Sequence, residues 1–376
     1  MKRLLETRGG GRISVFIGTK AQFIKMVPII REFDKRGWSY RLIDTGQHGG
    51  LVKKIVKEFG VREPDVHLSQ SDRGVSTLSE GISWILRLVG GFLIRGSRTR
   101  KLVFSDARGI SLVHGDTAST LLSALIAKRA GQRVVHVEAG LRSWSYLNPF
   151  PEEIVRILVM KMADMLFSPS TQATANLKRM GLGARTHQLS ANTSIDVVSY
   201  DLEQTPTALP DIPKSYSVVT IHRLETIYSK TRLERVVDTV LRAHRQEPVI
   251  FVQHPPTSKR LAAAGLDQRL REAGVTMAPL LDHVSFLHLL SKACFVISDG
   301  GSIQEEAHYL GVPCLVLRET TERDEGIGQN VLLSGFKDSK ASEFLDNYNS
   351  YRREPALSTV ESPSKQIADA LEQYSR

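Results

Sequence analysis

Short apolar runs rich in Val, Ile and Leu recur along the chain, and each is handed through a polar loop to a stretch with helical spacing. Runs at 13–18, 40–45, 111–113, 133–137, 165–168 and 187–189 alternate with helical patterns that begin near 21 and cover 51–59, 78–94, 118–127 and 174–180. A second series places strands at 217–221, 249–253, near 275, at 294–297 and at 312–317, with helices at 230–244, through 270 and at 283–290 between them. Runs that are apolar on both faces belong to parallel strands covered by helices on either side. The pattern predicts an α/β protein of two Rossmann-like, doubly wound parallel-sheet domains. The polar, proline-bearing stretch 203–214 is the best linker, giving domains at 1–202 and 203–360. A last helical pattern, 361–376, has Ser362 as its cap and Pro363 at its first position, and is read as packing back on the first domain.

Composition narrows the function classes. With 376 residues, 41% hydrophobic and 24% charged, each domain can bury its own core. The two cysteines, Cys294 and Cys314, lie inside apolar runs, which favours buried thiols in a reducing, cytoplasmic setting over a disulfide framework. No apolar stretch approaches the roughly 18 residues needed to span a bilayer. The net charge of +10 admits anionic partners, but no nucleic-acid-binding module is present and none is expected. The basic residues Arg95, Arg98, Arg100 and Lys101 could touch an anionic membrane peripherally. A core helix followed by a solvated basic loop is the simpler reading.

In open parallel sheets, ligands bind at the carboxyl ends of the strands. In the second domain the run Cys294-Phe295-Val296-Ile297 leads through Ser298-Asp299-Gly300-Gly301 into a helix beginning near Ser302. Unpaired N–H groups and the dipole at that helix start, with two glycines allowing close approach, suit a diphosphate. Glu306, one turn on, is placed to reach a ribose hydroxyl. Other strand ends there carry His222-Arg223 and His254-Pro255-Pro256, and 318–323 offers charges and hydroxyls. In the first domain the strand ends deliver Lys20 and Lys25, His114-Gly115-Asp116-Thr117, Glu138 and, after a loop at 144–150, Pro151-Glu152-Glu153. Helix capping alone accounts for Glu152 and Glu153 taken singly. Three acids at one sheet edge, Asp116, Glu138 and Glu152, make a constellation suited to proton transfer.

These motifs, Gly18-Thr19-Lys20 with Ile24-Lys25-Met26, Thr45-Gly46-Gln47-His48, His114-Gly115-Asp116-Thr117, His136-Val137-Glu138-Ala139-Gly140-Leu141-Arg142, Phe150-Pro151-Glu152-Glu153, Asn192-Thr193-Ser194-Ile195-Asp196, His222-Arg223 and Thr320-Thr321-Glu322-Arg323, occur in order along the chain. Together they resemble the non-hydrolysing UDP-N-acetylglucosamine 2-epimerases. The resemblance implies a GT-B fold with an interdomain cleft, no metal or redox cofactor, and a homodimer. Family members remove the C2 proton and eliminate UDP to a 2-acetamidoglucal, then add UDP back with C2 inverted, supplying sugar for surface polysaccharide. By motif position, Asp116, Glu138 and Glu152 are the acid/base and sugar-binding carboxylates, His222 assists near the diphosphate, and Lys25 supports the acids. Lys20, Arg142, His254, Gly300, Gly301 and Ser302 belong to the UDP-binding set, Phe286 stacks on uracil and Glu306 binds ribose.

The chain departs from the family's pattern. Lys20 replaces an arginine, which keeps the charge and loses the bidentate fork. Ala21 and Gln22 replace a proline and an acid, Gly300 and Ser302 rearrange the usual Ser-Gly-Gly, and Thr226 and Val155 replace other polar residues. Gly49-Gly50 lacks the polar side chains expected where some members bind an activating second UDP-sugar. All the presumed acids remain. The alternatives are a hydrolysing epimerase, an epimerase for a modified UDP-sugar, a GT-B glycosyltransferase, and a UDP-sugar-binding regulator without catalysis.

Overall fold

The computed structural model describes residues 13–47, 59–69, 83–86, 89–93, 96–105, 108–145, 151–207 and 209–375, together with Val52 and Val56. Most of the expected helix at 51–59, residues 78–82, 87–88 and 94 of that at 78–94, the loop at 146–150 and the pair Gly49-Gly50 lie outside the described residues. The chain forms two compact units, one of residues 1–197 with 361–376 and the other of residues 198–360. The change of unit falls within the helix Ser194–Leu202, ahead of the polar stretch.

Unit 1 holds a seven-stranded sheet: β1 (Ile13–Ile17), β2 (Tyr40–Asp44), β3 (Val66–His67), β4 (Ile110–His114), β5 (Arg133–Val137), β6 (Met165–Ser168) and β7 (Thr186–Gln188), in the order β3-β2-β1-β4-β5-β6-β7. Every pairing is parallel. The period of two along each strand divides the side chains between two cores. Ile13, Val15 and Ile17 join Leu42, Leu112, Val135 and Phe167 on one face. Phe16, Ile43, Val113, Val134 and Leu166 line the other. Onto the first face pack the helix Lys20–Lys35, through Met26, Ile30 and Phe33, and the C-terminal helix Pro363–Ser375, through Ile367, Ala368 and Leu371.

Unit 2 holds six parallel strands, β8 (Ser217–Thr220), β9 (Val249–Gln253), β10 (Thr276–Pro279), β11 (Val296–Ser298), β12 (Cys314–Val316) and β13 (Val331–Leu333), ordered β10-β9-β8-β11-β12-β13. β10 ends on Pro279, which is tolerated because the strand is at the sheet's edge.

Strand order reverses between β1 and β4 in unit 1 and between β8 and β11 in unit 2. The loops leaving those strands diverge, opening a crevice in each sheet at the point where such folds take ligands.

One expectation is corrected. The basic segment is not a solvated loop, because Gly96–Phe104 forms a helix that buries Thr99, Val103 and Phe104 while Arg98 and Lys101 face outward. Apolar residues at Val103 and Phe104 anchor one face, and that burial decides the conformation. No helix of the described residues is long and apolar enough to cross a membrane.

Candidate active site

At the crevice of unit 1, two helix starts lie side by side. Thr19 caps the Lys20–Lys35 helix and Thr117 caps Ala118–Arg129, each in a reciprocal capping box. Gln22 ties the two together: its Nε2 donates to the His114 carbonyl at 2.8 Å and to Thr117 Oγ1 at 2.8 Å, while its Oε1 accepts from the Thr19 N–H at 3.0 Å. An acid here could not donate through Nε2, so the family's carboxylate could not make this bridge. Gly18 lets the helices approach this closely, since a Cβ there would collide with the Ser119 side chain. Lys20 stands exposed at the first helical position.

Glu138 leaves β5 with φ +65, in the left-handed region that side-chain-bearing residues avoid. Lys25 Nζ and Asn192 Nδ2 each donate to its Oε1 at 2.5 Å, and His114 Nε2 lies 3.8 Å from Oε2. Strain of this kind persists only where the surroundings over-determine it, and it concentrates at functional sites. A Cβ on Gly115 would lie 3.6 Å from Glu138 Oε2, so Glu138 sits against the loop carrying Asp116. Beneath that loop His136 donates from Nε2 to the Gly115 carbonyl at 2.8 Å, and complete burial pushes its pKa down to about 4, keeping the ring neutral.

Asp116 accepts from Arg156 Nε at 2.6 Å, and Arg156 also reaches Glu153 at 3.3 Å. Burial would raise the Glu153 carboxyl, but hydrogen bonds from Arg142 and the Ser143 N–H, with the charges of Arg142 and Arg156, outweigh it and hold the pKa below the ordinary range. Its neighbour Glu152 keeps a buried Oε2 with no hydrogen-bond partner among the described residues. Glu138 thus lies against the loop that carries Asp116, and Arg156 links Asp116 to Glu153, the chain neighbour of Glu152, not to Glu152 itself. Arg142 donates to Glu153 at 2.5 Å, and the guanidiniums of Arg142 and Arg179 lie over the Trp144 ring at 4.2 and 4.1 Å from its centroid. Sequence reasoning gave no site role to Asn192 or Arg156 and read Glu153 only as a helix-capping acid. The Asn192 motif was visible, but only the fold brings it to Glu138.

At the crevice of unit 2, the helix Gly301–Tyr309 begins directly after β11, one residue earlier than its pattern indicates. Asp299, fully buried, accepts from the His222 and Arg223 N–H groups at 3.0 Å each and so splices the two diverging loops. The His222 ring lies 4.7 Å from that of His254. Gly301 sits beneath Arg323, whose guanidinium is paired with buried Glu305. Ser302 is exposed at the helix start, and Phe286 is buried on the preceding helix, His283–Ser291. Glu306 does not stand free: its Oε1 lies 3.3 Å from His283 Nε2.

The sequence model of the UDP-N-acetylglucosamine 2-epimerase family matches residues 31–362. The UDP-N-acetylglucosamine 2-epimerase of Methanocaldococcus jannaschii is 31% identical over 353 residues, covering 89% of this chain and 92% of that protein. The crystal structure of the M. jannaschii enzyme with UDP-GlcNAc and UDP aligns with a TM-score of 0.76 at 28% identity, over 96% of this chain and 99% of the other. The fold of the Neisseria meningitidis UDP-GlcNAc 2-epimerase aligns with a TM-score of 0.79 at 24% identity, over 96% and 99% of the two chains. With two parallel α/β units of the GT-B class and a match running through nearly all of both, the chain belongs to the UDP-N-acetylglucosamine 2-epimerase family and is an isomerase.

Proposed function

We propose that the protein interconverts UDP-N-acetylglucosamine and UDP-N-acetylmannosamine through a 2-acetamidoglucal. A base takes the C2 proton, the C1–O bond to the diphosphate breaks, and UDP departs with the bonding electrons. UDP then adds back at C1 while an acid protonates C2 from the opposite face. The C2 proton adjoins no carbonyl and is weakly acidic, so the barrier must be lowered by a positioned base and by charge stabilisation at the leaving diphosphate.

The observation carrying this reading is Glu138, held in a strained backbone conformation and clamped by Lys25 and Asn192 beside the Asp116 loop. Asp116, Glu138 and the free Oε2 of Glu152 supply groups for the two faces of C2. In unit 2 the N–H groups at the helix start, Gly301 and Ser302, suit the diphosphate, with His222 and His254 on neighbouring loops, and in unit 1 Lys20 supplies a cation for an anionic ligand. Phe286 takes the uracil, and Arg142 acts indirectly by fixing Glu153 next to Glu152. The proposal includes a cytoplasmic homodimer supplying an activated sugar for surface polysaccharide, which rests on the family resemblance alone.

Incubation with UDP-N-acetylglucosamine in heavy water, followed by proton NMR, tests it. Deuterium at C2 together with the manno epimer is the expected result. A C2 that keeps its proton, with no UDP released, overturns the reading for this substrate. Stoichiometric UDP and free sugar would identify a hydrolysing enzyme instead.

A further inference from the structure

His283, at the first position of its helix in unit 2, places Nδ1 2.6 Å from Asp201 Oδ2 and Nε2 3.3 Å from Glu306 Oε1. Carboxylate oxygens accept and do not donate, so both ring nitrogens must carry protons and the ring is an imidazolium. The two carboxylates outweigh its desolvation and raise its pKa to about 10. The arrangement runs against both helix dipoles: a cation stands at the start of His283–Ser291, and Asp201 puts an anion in the last turn of Ser194–Leu202. Local helix electrostatics therefore do not explain this pair. Asp201 and Glu306 are both buried, at 1% and 6% exposure. Glu306 Oε1 is taken by the ring, and its Oε2 is buried with no hydrogen-bond partner among the described residues. A buried acceptor left open beside the helix start that receives the diphosphate calls for a donor from the ligand.

We propose that His283 is a positioning residue that fixes Glu306 as an oriented carboxylate, so that Oε2 accepts a hydrogen bond from a ribose hydroxyl of the bound nucleotide, with Asp201 anchoring the ring. This deepens the nucleotide-sugar reading and rests on it. A neutral side chain at 283 leaves two buried carboxylates without a cation, and Glu306 loses both its charge partner and its fixed orientation.

The test is binding of UDP, 2′-deoxy-UDP and 3′-deoxy-UDP by calorimetry. Wild-type protein prefers UDP over at least one deoxy analogue by about tenfold, because removal of the hydroxyl leaves a buried charged acceptor unpaired. Both Glu306→Gln and His283→Asn reduce that preference to within about twofold, and the double variant reduces it no further. Asp201→Asn/His283→Asn removes the buried anion together with its partner and serves if His283→Asn does not fold. A general loss of packing would weaken all three ligands equally and leave the ratio unchanged. An unchanged ratio in His283→Asn, or equal binding of the three ligands by wild type, overturns the inference. Failure of wild type to bind any of them overturns the nucleotide reading itself.

Discussion

A Cβ on Gly300 would lie 2.5 Å from Cε1 of His222. The glycine has an ordinary φ of −93, so alanine is permitted by the backbone and the obstacle is the imidazole. We expect Gly300→Ala to lower kcat/KM by about 10- to 100-fold through a displaced ring, with little change in unfolding midpoint. In a His222→Ala background the same substitution should add almost nothing. A large further loss there would mean that the glycine serves the ligand directly.

Lys25 and Glu138 are each about nine-tenths buried, at 8% side-chain exposure, and removal of the lysine strands a buried carboxylate. Lys25→Met should destabilise the protein by about 3–5 kcal/mol in chemical denaturation. Adding Glu138→Gln should recover much of that stability and none of the activity. Recovery of turnover in the double variant would remove Glu138 from the chemistry.

His136 supplies an acid-sensitive contribution to stability. Its folded pKa of about 4 lies below the ordinary 6.5, so between those values the unfolded chain binds a proton that the folded chain excludes. Stability from this group is present above pH 6.5 and is lost as pH falls towards 4, by up to about 3 kcal/mol. Denaturation curves collected across that window should show the decline. His136→Gln, which can retain an N–H donor for the Gly115 carbonyl, should flatten it.

Glu325 acts in the opposite sense. Burial and the neighbouring Glu305 raise its pKa, the charge of Arg323 only partly opposing them, and neither carboxyl oxygen has a hydrogen-bond partner among the described residues. A raised carboxyl contributes stability below the ordinary carboxylate range, and that contribution is lost as pH rises through the folded pKa. Glu325→Gln should therefore raise the unfolding midpoint by an amount that grows from about pH 5 and levels off above about pH 8. An equal shift at pH 5 and pH 9 would indicate a packing effect instead.

Both sheets were legible because their strands are buried on both faces, and Val134-Val135 or Phe295-Val296-Ile297 could not face water on either side. The loops were legible too, since glycine and polar residues follow each run. β3 and β13 were not, because Val66–His67 and Val331–Leu333 are too short to carry a period, and they are defined by pairing with Ile43 and Asp44 and with Cys314, Leu315 and Val316. Nor were the partners of the site. Arg142 has the charge of a phosphate ligand in the sequence and is committed to Glu153 in the fold, while Glu306 and Asp201 meet through a histidine whose spacing from either residue carries no signal. Charge and residue type are local properties, whereas partner choice depends on how the helices pack.

Unit 1 is made from both ends of the chain, with the whole of unit 2 encoded between them. A ribosome therefore releases the lid of the first core only after the whole of unit 2. Until Ile367, Ala368 and Leu371 emerge, the face they cover beside Ile30 and Phe33 is open to water and to other chains, whereas unit 2, begun later, already has all its residues. The order of synthesis and the order of completion are inverted, and loss of the final helix should leave a finished second unit attached to a first one that stays adhesive.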